Sequence, residues 1–186
     1  VEEALQVQKD GEWGGSLELI QEQTYSSAVS SIQFTDIKEG AYDVHLMQLS
    51  NVQGTNDQTE TKFYLYEDGV GWETASVYKW ARLIQSTAGA SSEQNSTGRD
   101  GITLFGSNDN DTNEKSNGYV YFYNLGNSSK YSFCSFQTTA IDYYETGSHL
   151  GGAVLPQASK VTGIRFDVSA NNFSSFTLKL YGVKQI

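Results

Sequence analysis

Residues 117–133 read NGYVYFYNLGNSSKYSF. Tyr119, Tyr121 and Tyr123 share one parity, and Val120 and Phe122 share the other. Successive side chains of a strand point to opposite faces. This stretch therefore predicts a strand with a hydrophobic face and a ladder of tyrosines behind it. A turn at Gly126-Asn127-Ser128 follows, and then a second strand over KYSFCSFQTTA (130–140). The hydrophobic face belongs in a core. The tyrosines call for a second packed layer, a neighbouring subunit or a ligand such as a sugar.

The same alternation runs outward along the chain. LELIQEQT (17–24) alternates around Leu17 and Leu19, and SAVSSIQFTDI (27–37) sets Ile32 and Phe34 in phase. AYDVHLMQLSNV (41–52) puts Tyr42, Val44 and Leu46 on one face and His45, Met47 and Leu49 on the other. TKFYLYED (61–68) sets Phe63 and Leu65 against Tyr64 and Tyr66. ETASVYKWARLI (73–84) reads as a strand by its neighbours, although Val77, Trp80, Ala81 and Ile84 also fit a helical stripe. GITLFG (101–106), VTGIRFDVSA (161–170) and FTLKLYGV (176–183) complete the strands. Residues 85–100, QSTAGASSEQNSTGRD, carry no apolar period and read as a long mobile loop. SNDNDTNEKSN (107–117) reads as a second polar loop, and IDYYETGSHLGGAVL (141–155) as a Tyr-rich excursion. The fold class is therefore all-β: an antiparallel β-sandwich, jelly-roll-like, of about nine or ten strands.

One domain suits 186 residues. Aromatics are 13% of the chain and add buried area to a modest 38% hydrophobic content. ALQVQKDGEW reads as a small hairpin, with Lys9-Asp10-Gly11 as its turn, Trp13 as an anchor and Gly14-Gly15 as a hinge. This divides the chain into an N-terminal arm or linker, 1–15, and a sandwich domain, 16–186.

The net charge of −10 and the scattered Lys and Arg disfavour nucleic-acid binding. No apolar run approaches a membrane span, and no signal-peptide pattern is present. The chain begins at Val1 without Met, as a processed chain or a part of a longer protein would. Cys134 is the only cysteine, so no intrachain disulfide or thiolate zinc site can form. Within YSFCSF it reads as a small buried residue rather than a reactive thiol, and a disulfide-free chain fits assembly in the cytosol.

Each chemical signal has a plainer reading beside it. Asp109, Asp111 and Asn113 sit at the alternate spacing of a calcium loop. Glu114 stands where that loop needs Gly, the distal Glu is absent and no helices flank it, which favours a solvated hairpin loop. His45 and His149 are the only histidines; neither lies in a nucleophile-elbow context, and their spacing does not argue for zinc. His45 reads as a packed or edge residue and His149 as part of a loop. A glycosidase pair could be drawn from Glu22, Asp43, Glu73, Asp100 or Asp142, but no local pattern selects one, so no catalytic residue and no cofactor is assigned. The sequons at Asn95, Asn110, Asn127 and Asn172 are expected by chance in so Asn- and Ser-rich a chain.

The aromatics remain. Trp13, Tyr64, Tyr66, Trp72, Tyr119, Tyr121, Tyr123, Tyr143 and Tyr144 are the candidates for a subunit interface or a glycan contact, with Trp80 and Tyr78 as further rings. Tyrosine loses little rotamer entropy and presents an apolar body with a polar tip, so it suits both roles. The plain alternative is packing between two sheets with the hydroxyls at the rim.

The order of segments resembles a β-rich structural domain of tailed-bacteriophage virion proteins. SLELIQEQTYSSAVSSIQFTDI resembles that domain's first hairpin, followed by the YDVHLMQLSNV strand. NGYVYFYNLGNSSKYSF resembles its strand–polar loop–strand unit, and GGAVLPQASKVTGIRFDVSANNFSSFTLKLYGV its closing Ile-x-Phe and Leu-Tyr-Gly strands. ALQVQKDGEW resembles the short hairpin that precedes the domain in tail fibres. The resemblance spans roughly residues 5–183. It implies a non-catalytic component of the virion surface, a tail fibre, appendage or capsid decoration, assembled in the host cytoplasm. The implied partners are other virion proteins and copies of the chain itself, often as a homotrimer, with a host surface glycan as a further one. It carries no catalytic residues. The polar stretch 85–100 departs from it.

Overall fold

A computed structural model describes residues 16–105, 109–142 and 145–184. Within these residues the chain is all-β, with thirteen strands in two antiparallel sheets and no helix. The strands are β1 (Leu17–Tyr25), β2 (Ser31–Thr35), β3 (Val44–Gly54), β4 (Thr61–Glu67), β5 (Gly71–Trp72), β6 (Tyr78–Ser86) and β7 (Ser91–Arg99). They continue with β8 (Ile102–Phe105), β9 (Ser116–Tyr123), β10 (Tyr131–Asp142), β11 (Glu145–Ala158), β12 (Val161–Val168) and β13 (Phe173–Val183). The larger sheet has the order β1-β13-β3-β9-β10-β11-β6-β7. The smaller has β2-β12-β4-β5, and β8 pairs with the other end of β4. The chain passes repeatedly from one sheet to the other, so each sheet's inner face is built from distant segments.

Parity decides what is inside. His45, Met47 and Leu49 of β3, Val120 and Phe122 of β9, and Phe176, Leu178 and Leu180 of β13 are buried between the sheets. From the smaller sheet they meet Ile32, Phe34, Phe63, Leu65, Ile164 and Phe166. The Phe63 and Phe122 rings cross edge to face at 5.2 Å, joining the two layers. Cys134 is buried in the same core, where burial pushes its thiol up to about 12.

Three expectations change. The stretch 85–100 is not a long loop: Ser86–Ala90 makes a tight turn through Gly89, whose φ of 82° suits glycine, and Ser91–Arg99 forms edge strand β7 on β6. An edge strand solvated on both faces has no apolar period to read, so only its ladder with β6 defines it. The excursion 141–155 is likewise a strand pair, with β10 running on to Asp142 and β11 running from Glu145. Its glycines obscured it. Gly151 is one where a Cβ would meet the Phe136 ring and the Ala81 carbonyl at 2.5 and 2.6 Å. Finally, Leu17 and Leu19 do not face the core. They are 43% and 50% exposed, Ile20 packs against the core instead, and a bulge between Leu19 and Gln21 then shifts the register so that Gln21 lies opposite Leu180. The stripe Val77, Trp80, Ala81, Ile84 is a strand from Tyr78 onward, not a helix. The proposed N-terminal hairpin lies outside the described residues.

Candidate functional site

The tyrosine ladder stands on the outer face of the larger sheet. Val120 and Phe122 point inward with no exposure, which drives Tyr119, Tyr121 and Tyr123 outward. Tyr119 and Tyr121 meet edge to face at 5.8 Å, and Tyr121 and Tyr123 lie nearly parallel at 6.5 Å. The Tyr119 hydroxyl donates to Gln137 Oε1 at 2.9 Å, and Tyr123 shares a 3.0 Å hydrogen bond with Ser135 Oγ. Both bonds tie β9 to β10 and hold the rings in place.

Register extends this surface sideways. Leu46 of β3 lies opposite Tyr121, Tyr181 of β13 lies opposite Leu46, and Leu19 of β1 lies opposite Tyr181. One row below, Val44 lies opposite Tyr123, and Tyr123 opposite Phe133, which is 45% exposed. Against the first of these rows is an open concavity of about 670 Å³ lined by Leu17, Leu46, Gln48, Tyr119, Tyr121 and Tyr181, with Leu49, Ser50, Asn117 and Gly118 at its end. No charged side chain lines it. An apolar row running over four strands is more than scattered exposed side chains.

The other candidates do not join it. Tyr64, Tyr66 and Trp72 stand on the outer face of the smaller sheet. Tyr66 and Trp72 meet edge to face at 5.1 Å. The Arg165 guanidinium lies over the Tyr64 and Trp72 rings at 4.6 and 5.0 Å and is anchored by Asp167 at 3.0 Å. Tyr64 is therefore covered, at 8% exposure, and offers no platform. Trp13, Tyr143 and Tyr144 lie outside the described residues. Leu17, Leu19, Leu46, Phe133 and Tyr181 were missed as members of the face. Tyr181 had a readable signal: it is out of phase with Phe176, Leu178 and Leu180, which place it outside.

The acidic candidates are held locally. Glu22 pairs with Lys179 at 3.4 Å, Asp100 with Lys62 at 3.5 Å, and Glu73 accepts the Ala75 N–H at 2.7 Å. The side chain of Asp142 lies outside the described residues, and Asp43 sits among interactions near the start of β3. In the loop before β9, Asp109 accepts the Gln58 N–H at 3.3 Å and Asp57 accepts the Asn110 N–H at 3.1 Å. Among the described residues no group of three or more His, Cys, Asp or Glu is placed to hold a metal ion.

Both histidines are core residues. His45 donates from Nε2 to the Ile37 carbonyl at 2.9 Å, and burial lowers its pKa. His149, read from the sequence as loop, is a buried β11 residue. Burial first, and then the Arg82 cation, lower its pKa to about 4 against the opposing effect of a hydrogen bond with the Leu104 backbone. Arg82 is itself buried, bonded to Gln94 Oε1 at 2.6 and 3.1 Å and to the Thr103 and Leu104 carbonyls at 3.4 and 3.5 Å.

The architecture is thus a two-sheet antiparallel sandwich with an uncharged aromatic concavity on the outer face of the larger sheet. No family model matches the chain, and no curated protein matches it. Among solved structures, an exo-inulinase from Aspergillus awamori superposes with a TM-score of 0.47 at 9% identity, over 90% of this chain. This chain spans about 30% of that enzyme's length. The CBM2 module of the evolved Dit of Lactobacillus casei BL23 phage J-1 gives 0.22 at 12% identity, over 93% of this chain and 82% of that one. The VP2 subviral particle of infectious bursal disease virus gives 0.14 at 9% identity, over 90% of this chain and 41% of that one. Scores this low equate no folds and bear on no function. No helix among the described residues is long and apolar enough to cross a membrane.

Proposed function

We propose that the chain is a non-catalytic structural component of a tailed-bacteriophage virion, a surface decoration or a tail-fibre or appendage part, and that it assembles as a homotrimer. The observation that carries this reading is the uncharged aromatic face built by Leu46, Tyr119, Tyr121 and Tyr181. A chain of net charge −10 repels its own copies, and an uncharged face is where that repulsion is least. Apolar side chains left on a sheet's outer face gain by being covered. The resemblance of the segment order to virion domains supports the setting, at the particle surface among other virion proteins. The test is the solution mass of the full chain and of Leu46→Glu, a charge placed in the middle of the face. A trimer that dissociates on this change supports the reading, and a monomeric parent chain rejects it.

A second reading has its own observation. Gln48 and Gln137 flank the Tyr119–Tyr121 rings, and the Tyr119 and Tyr123 hydroxyls are fixed by hydrogen bonds. Rings with fixed orientation beside amides suit stacking and hydrogen bonding to a host surface glycan. A glycan-array screen of the parent chain and Tyr121→Ala separates this receptor-recognition role from assembly.

A further inference from the structure

We infer that the concavity on the larger sheet is filled by residues 1–15 of a neighbouring copy, so that exchanged N-terminal arms close the assembly. This rests on the assembly reading above and names the occupant of that face.

Leu17, where the arm meets the sandwich, is itself a lining residue of the concavity. The arm sequence VEEALQVQKDGEWGG carries Leu5, Val7 and Trp13 at one parity, so an arm opened from the hairpin read above into an extended strand on its partner projects all three to one side. The concavity lacks charge and is rimmed by rings, which suits an indole and two aliphatic side chains. Tryptophan in such a pocket is the usual energetic anchor of an interface.

The direction of the chain favours exchange over folding back. The Lys184 N–H donates to the Ser16 carbonyl at 2.8 Å, which prolongs the β1–β13 ladder past Leu17. At Ser16 the chain is therefore still directed along the strand axis, off the end of the sheet rather than across its face. Reach is sufficient. The arm can extend to roughly 50 Å, whereas Leu17 to Tyr119 of the same chain is three interstrand steps across and four residues along β9, roughly 20 Å. Reach therefore permits either arrangement, and the direction of the chain at Ser16 decides for exchange. Gly14-Gly15 supplies the pivot between arm and strand.

The test uses the full chain. Tyr119, 41% exposed and outside the core, is replaced by the photocrosslinker p-benzoylphenylalanine in an isotopically light chain. This is co-assembled with heavy, otherwise unaltered chain, irradiated and mapped by mass spectrometry. Adducts joining light residue 119 to heavy residues 1–15 are expected. Trp13→Ala in the heavy chain should lower their yield, and weaken self-association, by about tenfold. Adducts to the light chain's own arm alone overturn the exchange. Adducts only to body residues in a sample that is still oligomeric also overturn it, and leave the assembly reading standing. A monomeric sample rejects both.

Discussion

Phe122 of β9 and Phe63 of β4 cross edge to face at 5.2 Å, and this contact couples the inside of one sheet to the inside of the other. Neither ring is exposed. Truncating Phe122 to Ala removes the ring and leaves a cavity between layers that cannot collapse without moving both. Phe122→Ala is therefore expected to cost about 3–5 kcal/mol in urea unfolding. A loss below about 1 kcal/mol would mean that the layers do not meet there.

One residue away, the effect should divert from stability to assembly. Tyr121 is half-buried and on the outer face, so Tyr121→Ala is expected to cost only about 1 kcal/mol in unfolding. It should nevertheless weaken self-association about tenfold. Paired urea melts and sedimentation equilibrium on Phe122→Ala and Tyr121→Ala read the two faces of a single strand separately.

Gly151 marks a close approach that any side chain would block. A Cβ there meets the Phe136 ring at 2.5 Å, the Ala81 carbonyl at 2.6 Å and Arg82 Cβ at 2.8 Å. Two of the three contacts come from the neighbouring strand β6, which is held by its own ladder. Gly151→Ala should destabilise by at least about 2 kcal/mol, while Gly40→Ala, with open space around it, should leave the thermal midpoint unchanged.

His149 makes stability depend on pH. Its folded pKa, about 4, lies below the ordinary value of 6.5, so the unfolded chain binds the proton more readily. Stability from this group is fully present above pH 6.5 and is lost as pH falls toward 4, by roughly 3 kcal/mol. His45, also lowered by burial, adds a loss of the same sign. Urea melts at pH 7 and pH 4 should show a smaller fall in His149→Gln than in the parent chain. An equal fall in both contradicts the assignment.

Cys134 should be inert in the folded chain, since burial holds its thiol near 12 and it lies between Phe133 and Ser135 on the covered side of β10. Iodoacetamide at pH 8 is expected to label it only in denaturant. Labelling of the native chain at a peptide-like rate would show that β10 opens.

The strands that could be read from the sequence are those with one wet face and one dry face. Met47 with Leu49, Val120 with Phe122, and Phe176 with Leu178 and Leu180 announce their inner faces by alternation, and all are buried. β7 could not be read, because Ser91–Arg99 is solvated on nearly every side and owes its conformation to β6. β11 was hidden by Gly147, Gly151 and Gly152, residues that usually mark loops but here admit neighbouring rings and carbonyls. The candidate face was half legible. The Tyr119–Tyr123 ladder is local in sequence, whereas Leu46, Tyr181 and Leu19 join it only through register across β3, β13 and β1. Tyr64 shows the converse. Its parity is outward, yet Arg165 from β12 covers it, a contact that no local pattern reveals.

The central claim is that the aromatic outer face of the larger sheet, around its uncharged concavity, is where copies of this chain meet. Light scattering on the full chain and on Leu46→Glu tests it most directly, against a single-chain mass of 20.5 kDa. The account predicts a parent species of about three chain masses and a Leu46→Glu species of one, with unfolding midpoints within a few degrees of each other. A parent chain that stays at 20.5 kDa at roughly 100 μM, a concentration at which even micromolar association is complete, would contradict it.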